Sequence, residues 1–116
     1  MYSMESETKN IISKHYIRNR SDREDFIREH LGGDGNVVDS FVIDKFHPMG
    51  KELHEVTDNG LIIIRNLNSG KICTKLIARP NQIMRLYEAD GREKPPEYEN
   101  ILKLAQKYKE LGYNEI

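Results

Sequence analysis

Two observations predict an α+β fold. Both ends of the chain carry apolar residues at helical spacing, and the stretch between them breaks into short β-branched runs divided by Gly, Pro and Asn turns. A length of 116 residues fits a single domain spanning 1–116. The predicted layout is helices across 7–31, an antiparallel meander of four or five strands across 36–87, and a C-terminal helix across 96–111.

The N-terminal part reads as two helices. Ile11, Ile12, His15 and Tyr16 share a helical face, and Asn19-Arg20 interrupts the pattern. Ser21-Asp22-Arg23-Glu24 has the form of a capping box, in which the Ser hydroxyl and the Glu carboxylate each satisfy an orphan backbone N–H. Phe26, Ile27 and Leu31 then form a buried stripe, and Gly32-Gly33 supplies the left-handed stop.

Asn36 to Lys45 is the first strand, rich in Val, Ile and Phe. His47-Pro48-Met49-Gly50 is a turn, because the residue before a proline is pushed out of helical geometry. Glu52 to Thr57 is a short polar strand. Asn59-Gly60 is a hairpin signal, since both residues tolerate a positive φ. Leu61 to Leu67 is the most apolar strand and is expected at the centre. After Asn68-Ser69-Gly70 comes Lys71 to Ala78, with Ile72, Thr74 and Leu76 on one face and Cys73, Lys75 and Ile77 on the other. Arg79-Pro80-Asn81 turns the chain, and Gln82 to Tyr87 is read as the fifth strand.

Pro95-Pro96 opens the last helix, Glu97 and Glu99 suit its positive end, and Lys103, Lys107 and Lys109 its negative end. Ile101, Leu104, Ala105, Tyr108 and Leu111 make its stripe. The two helical flanks are expected to cover one face of the sheet and to leave the other for a ligand.

Charge is distributed unevenly. Between Lys45 and Tyr87 there are seven Lys/Arg against three Asp/Glu, a balance of +4. The rest carries eleven against sixteen, or −5, and the chain totals −1. Bulk positive charge is therefore not the means of binding, whereas a basic sheet between acidic helices fits a localised anion site. One cysteine, Cys73, excludes an internal disulfide and a cysteine-based zinc site, and it is expected to be a buried small side chain. The longest apolar run, Leu61 to Ile64, is far too short for a membrane span. The segment MYSMESETKN carries no secretory signal, so a cytoplasmic location and no membrane partner are expected.

No phosphate-binding glycine loop, HExxH or nucleophile elbow is present. What remains is a constellation on strands whose chemistry suits RNA cleavage without metal or other cofactor. That reaction needs a base for the ribose 2′-hydroxyl proton, an acid for the leaving 5′-oxygen, and cations around the phosphorane. Histidine, with an ordinary pKa of roughly 6.5, serves either proton role. His54, His47, Thr74 and Arg79 are the catalytic candidates. Lys45, Lys51, Arg65, Lys75, Gln82 and Arg85 are the substrate-binding ones. His15 and His30 read as structural. Each candidate has a plain alternative: His54 a surface histidine, His47 a turn residue, Thr74 a satisfied core hydroxyl, the arginines solvated charges.

The segments HPMGKELHEVTDNGLIIIRN and TKLIARPNQIMRLY, with helices before a meander, resemble the barnase/EndoU/colicin/RelE-type ribonuclease superfamily. The resemblance covers about two thirds of the chain and is one of layout and residue type. It implies a toxin-like or phage-associated ribonuclease with His47, His54, Thr74 and Arg79 at its centre. Its partners would be RNA, whether tRNA or ribosome-associated mRNA, and a cognate antitoxin or immunity protein. The low net charge departs from the basic character of many such toxins.

Two rival readings remain. One is a non-catalytic binding protein, such as an antitoxin, immunity protein or phage inhibitor, meeting a basic partner through Asp22, Glu24, Asp25 and Glu29. The other is a metal site built from His47, His54 and Asp44 or Glu52.

Overall fold

The computed structural model describes residues 20–43 and 50–115, and the expectations for the first helix, for Asp44, Lys45 and His47, and for the turn 47–49 lie outside them. The described fold is α+β. Helix α1 (Arg20–Phe26) runs into a π-helical turn (Ile27–Leu31). Four strands follow, β1 (Val37–Ile43), β2 (Glu52–Thr57), β3 (Leu61–Asn66) and β4 (Ile72–Ile77). Then come α2 (Pro80–Met84), a second π-helical turn (Arg85–Ala89) and α3 (Tyr98–Glu110).

The sheet is an antiparallel meander in the order β1-β2-β3-β4. Register places Phe41, His54, Ile64 and Thr74 side by side in one row, hence on one face. Val56, Ile62 and Leu76 extend that face. A register shift between Ile64 and Arg65 sets Arg65 opposite Ile72, so the strict alternation expected for β4 does not continue past Thr74.

The expected fifth strand is helical. Arg79 is extended, as a residue before proline should be, and Pro80 begins α2 where its missing N–H costs nothing. Ile83, Leu86 and Tyr87 then fall three and four residues apart on one face. Their apolar pattern was compatible with a strand, but the proline and this spacing decide for a helix. The capping box also differs. Arg20 and Ser21 already lie inside α1, and the Glu24 carboxylate pairs with Lys75 rather than reaching back along the chain. In α3, Pro95 and Pro96 precede the helix, and Tyr98 N–H donates to Pro95 C=O at 3.0 Å.

Val56, Ile62, Ala78, Ile83, Tyr87, Tyr98, Ile101 and Ala105 form one buried cluster, which lays α2 and α3 over the His54 face. This overturns the expectation that the ligand face is left uncovered by helices. A second cluster joins Phe26, Ile27, Leu31, Leu61 and Tyr108. The β2–β3 hairpin is fastened there from two sides. Asn59 Nδ2 donates to Leu31 C=O and Gly33 C=O at 2.7 and 2.6 Å, and Tyr108 Oη donates to Asn59 C=O at 2.9 Å. Gly60 takes a left-handed φ of 86° directly beneath the Tyr108 ring.

Candidate functional site

The described face of the sheet that carries His54 ends in a hollow of about 330 Å³ between the strands and α2. Its floor is His54, Ile62, Ile64 and Leu76, and its wall is Asn81, Gln82, Arg85 and Leu86. His54 is held from the strand side. Its Nε2 lies 3.1 Å from Glu52 Oε1, two residues along β2 and on the same face, and its ring lies 5.6 Å from that of Phe41. With the carboxylate accepting from Nε2–H, the basic lone pair is on Nδ1. The His54 side chain is 14% exposed, so it can reach a ligand without being bathed in water. Arg92 stacks over Phe41 at 4.0 Å, closing the β1 side of the row.

Gln82 and Leu76 also line a second hollow, of about 230 Å³, at the outer edge of β4. Arg23, Lys75, Ile77, Arg79, Tyr113 and Asn114 complete its sides. Arg23 reaches this edge from α1, donating to Thr74 Oγ1 at 2.9 Å and Lys75 C=O at 2.8 Å. It thereby occupies part of the outer edge of β4, where Asn114 Nδ2 also donates to Ile77 C=O. Burial pulls the Arg23 pKa below its ordinary value. Arg79 donates to Asn114 C=O at 2.7 Å through Nη2. Gln82 Oε1 accepts from Arg79 N–H at 2.8 Å, which turns the amide NH₂ of Gln82 towards its surroundings as a donor. Asn114 Nδ2 donates to Ala78 C=O at 2.8 Å, while its Oδ1 is buried with no donor among the described residues.

The sequence candidates divide accordingly. His54, Gln82 and Arg85 meet in the first hollow, and Arg79 sits in the second. Thr74 shares the His54 row but lies two strands away, and its hydroxyl accepts from Arg23. Lys51 is exposed just ahead of β2, and its C=O accepts from Leu67 N–H at 3.0 Å. Arg65 is on the opposite face, pairing with Glu55 at 2.8 Å and donating to Gly70 C=O. Lys75 is also on that opposite face. It is 7% exposed and its ammonium sits 2.8 Å from both Glu24 and Asp34. Burial alone would lower its pKa, but the hydrogen bonds and charges of Asp34 and Glu24 outweigh that and raise it. Lys75 is an internal pairing residue and points away from the His54 hollow. Cys73, expected to be buried, is exposed.

The acidic cluster on α1 is partly used within the fold, Glu24 by Lys75 and Asp25 by Arg28. His30 is exposed and its ring lies against those of Phe26 and Tyr113. Among the described residues no three His, Cys, Asp or Glu side chains gather as a metal-ligand group. None of the helices among them is long and apolar enough to cross a membrane.

Arg23, Asn81 and Tyr113 were not legible as site residues. Arg23 meets Thr74 across 51 positions, and nothing local in either segment signals that approach. Asn81 follows from reading Pro80 as the first residue of a helix. No family model, curated protein or solved structure matches the chain.

Proposed function

We propose that the protein is a ribonuclease that cleaves RNA by attack of a ribose 2′-hydroxyl on the adjacent phosphodiester, with His54 as the proton acceptor. The observation that carries this reading is the Glu52–His54 pair opening into a hollow that also holds Arg85 and Gln82. A carboxylate that orients an imidazole leaves the other ring nitrogen ready to take a proton. Arg85 supplies a planar fork for phosphate oxygens as charge builds on them, and Gln82 a neutral donor. The apolar patch of Ile62, Ile64, Leu76 and Leu86 offers a surface for a base or sugar. In the step itself the 2′-oxygen bonds to phosphorus and its proton passes to His54 Nδ1. The P–O5′ bond breaks, and the departing 5′-oxygen takes a proton from an acid, the role for which His47 is the sequence candidate. The products are a 2′,3′-cyclic phosphate and a 5′-hydroxyl.

Incubation of the purified protein with total RNA in EDTA tests the proposal. Cleavage is expected, and His54→Ala is expected to lower its rate by at least ~100-fold, the lower end of a general acid–base contribution. An unchanged rate in a folded His54→Ala protein removes His54 from the chemistry. Absence of cleavage by the wild type in EDTA and with added metal favours the binding-protein reading, in which the same hollow holds a partner.

A further inference from the structure

The hollow at the β4 edge plays no part in the proton transfer described above, yet it is built for negative charge. Arg23 and Arg79 border it from different elements, Gln82 lines it with its amide oxygen already engaged by Arg79 N–H, and no carboxylate lines it among the described residues. Lys75 lines it as well, but its ammonium is engaged by two carboxylates, Glu24 and Asp34, which are not part of the lining. Backbone geometry adds to this. Lys75 C=O and Ile77 C=O both accept side-chain donors at the outer edge, so the N–H of Ile77 leaves the strand on that same side. Tyr113 supplies a flat wall, stacked on Tyr108 with ring centres 5.7 Å apart. Leu76 and Gln82 belong to both hollows, which makes them neighbouring compartments.

We propose that this second hollow is a phosphate subsite, formed chiefly by Arg23, Arg79 and Gln82, that holds the phosphate adjacent to the one cleaved at His54. The identification of that phosphate as part of an RNA strand rests on the function proposed above. The subsite makes the preferred substrate longer than the single scissile linkage and fixes its register across the β4 edge. A carboxylate from an acidic protein partner is the competing occupant. Continuity with the His54 hollow favours a second phosphate of the same strand.

The test compares dinucleotides with and without one additional terminal phosphate, placed at either end. The phosphate at one end is expected to raise kcat/KM by roughly tenfold, as a charge-assisted contact does. Arg79→Ala is expected to bring that ratio close to one. Arg79→Gln, which keeps a donor for Asn114 C=O but not the charge, is expected to do the same. A wild-type ratio near one, or a ratio that survives both variants, overturns the subsite while leaving RNA cleavage standing. In parallel, inorganic phosphate is titrated while the side-chain amide signals of Gln82 and Asn114 are followed by NMR. Shifts there that vanish in Arg79→Gln are expected. Shifts that persist in Arg79→Gln, or no shifts at either amide, overturn it. Should neither dinucleotide be cut, the ribonuclease reading falls, and the phosphate titration alone decides the subsite.

Discussion

His54 and Glu52 face each other along β2, Nε2 to Oε1 at 3.1 Å, with the carboxylate 23% exposed and the imidazole 14%. Residues two apart on a strand share a face, so the backbone itself holds the two groups together. Glu52 is therefore a positioning residue for His54. Glu52→Ala should lower kcat by less than the ~100-fold expected for loss of the base itself. Glu52→Gln separates two causes. Its amide oxygen can still accept from the ring, so recovery in Gln marks orientation as the contribution. A Gln variant as slow as Ala marks the negative charge. Single-turnover cleavage rates of the three proteins decide between them.

Lys75 has a different use. It is buried on the face away from His54, bridging α1 and the loop after it through Glu24 and Asp34. Lys75→Met keeps the stem and removes the charge. The carboxylates it would abandon are 41% and 38% exposed and can rehydrate. The cost should then be about 1–2 kcal/mol, below the 3–5 typical when a fully buried pair is broken. Urea unfolding of the variant measures it, and cleavage of a dinucleotide without a terminal phosphate, which does not use the second hollow, should stay at the wild-type level per folded molecule.

That division between Lys75 and Gln82 shows what the sequence can and cannot convey. The strand bounds of β2, Glu52–Thr57, and the turn at Asn59-Gly60 follow from local chemistry and were legible. Lys75 looked like a ligand group because its charge is visible in sequence and its two partners, 41 and 51 residues away, are not. Gln82 and Arg85 were read as strand residues, yet both line the His54 hollow, because α2 and the π-helical turn after it bring their side chains over the same sheet face. The apolar residues Ile83, Leu86 and Tyr87 fit a strand poorly and a helix well once Pro80 is read as a helix start. The Arg23 bridge to Thr74 and Lys75 is a product of tertiary packing, and no local pattern encodes it.

Tyr87 predicts how the fold responds to alkali. Burial, followed by the hydrogen bond to Asp39 at 2.7 Å, raises its pKa above the ordinary 10.0. The folded state therefore holds this proton more tightly than the unfolded chain does. Its contribution is complete below pH 10 and is lost as pH rises from there through the folded-state value. Lys75, also raised, acts in the same direction. Urea midpoints should fall as pH rises above about 10, and Tyr87→Phe, which has no proton to lose, should flatten that fall. An equal slope in the Phe variant would show that Tyr87 does not carry the alkaline response.

At Gly60 one added methylene would be felt beyond the turn itself. Its φ of 86° is costly for any residue with a Cβ, and a Cβ built there would lie 2.8 Å from Tyr108 Cε2. The two penalties act together, since relieving the clash means moving the ring whose hydroxyl holds Asn59 C=O. Asn59 in turn secures the end of the α1 segment through Leu31 and Gly33. Gly60→Ala should thus cost about 1–3 kcal/mol from backbone strain, with more from the displaced ring. Tyr108→Phe removes the Asn59 bond but not the clash, so Gly60→Ala should cost nearly the same in that background. Tyr108→Leu removes the ring and should relieve part of the penalty. Thermal unfolding of the single and double variants reads both comparisons. A Gly60→Ala cost that is the same with Leu as with Tyr at 108 would assign the whole effect to the backbone.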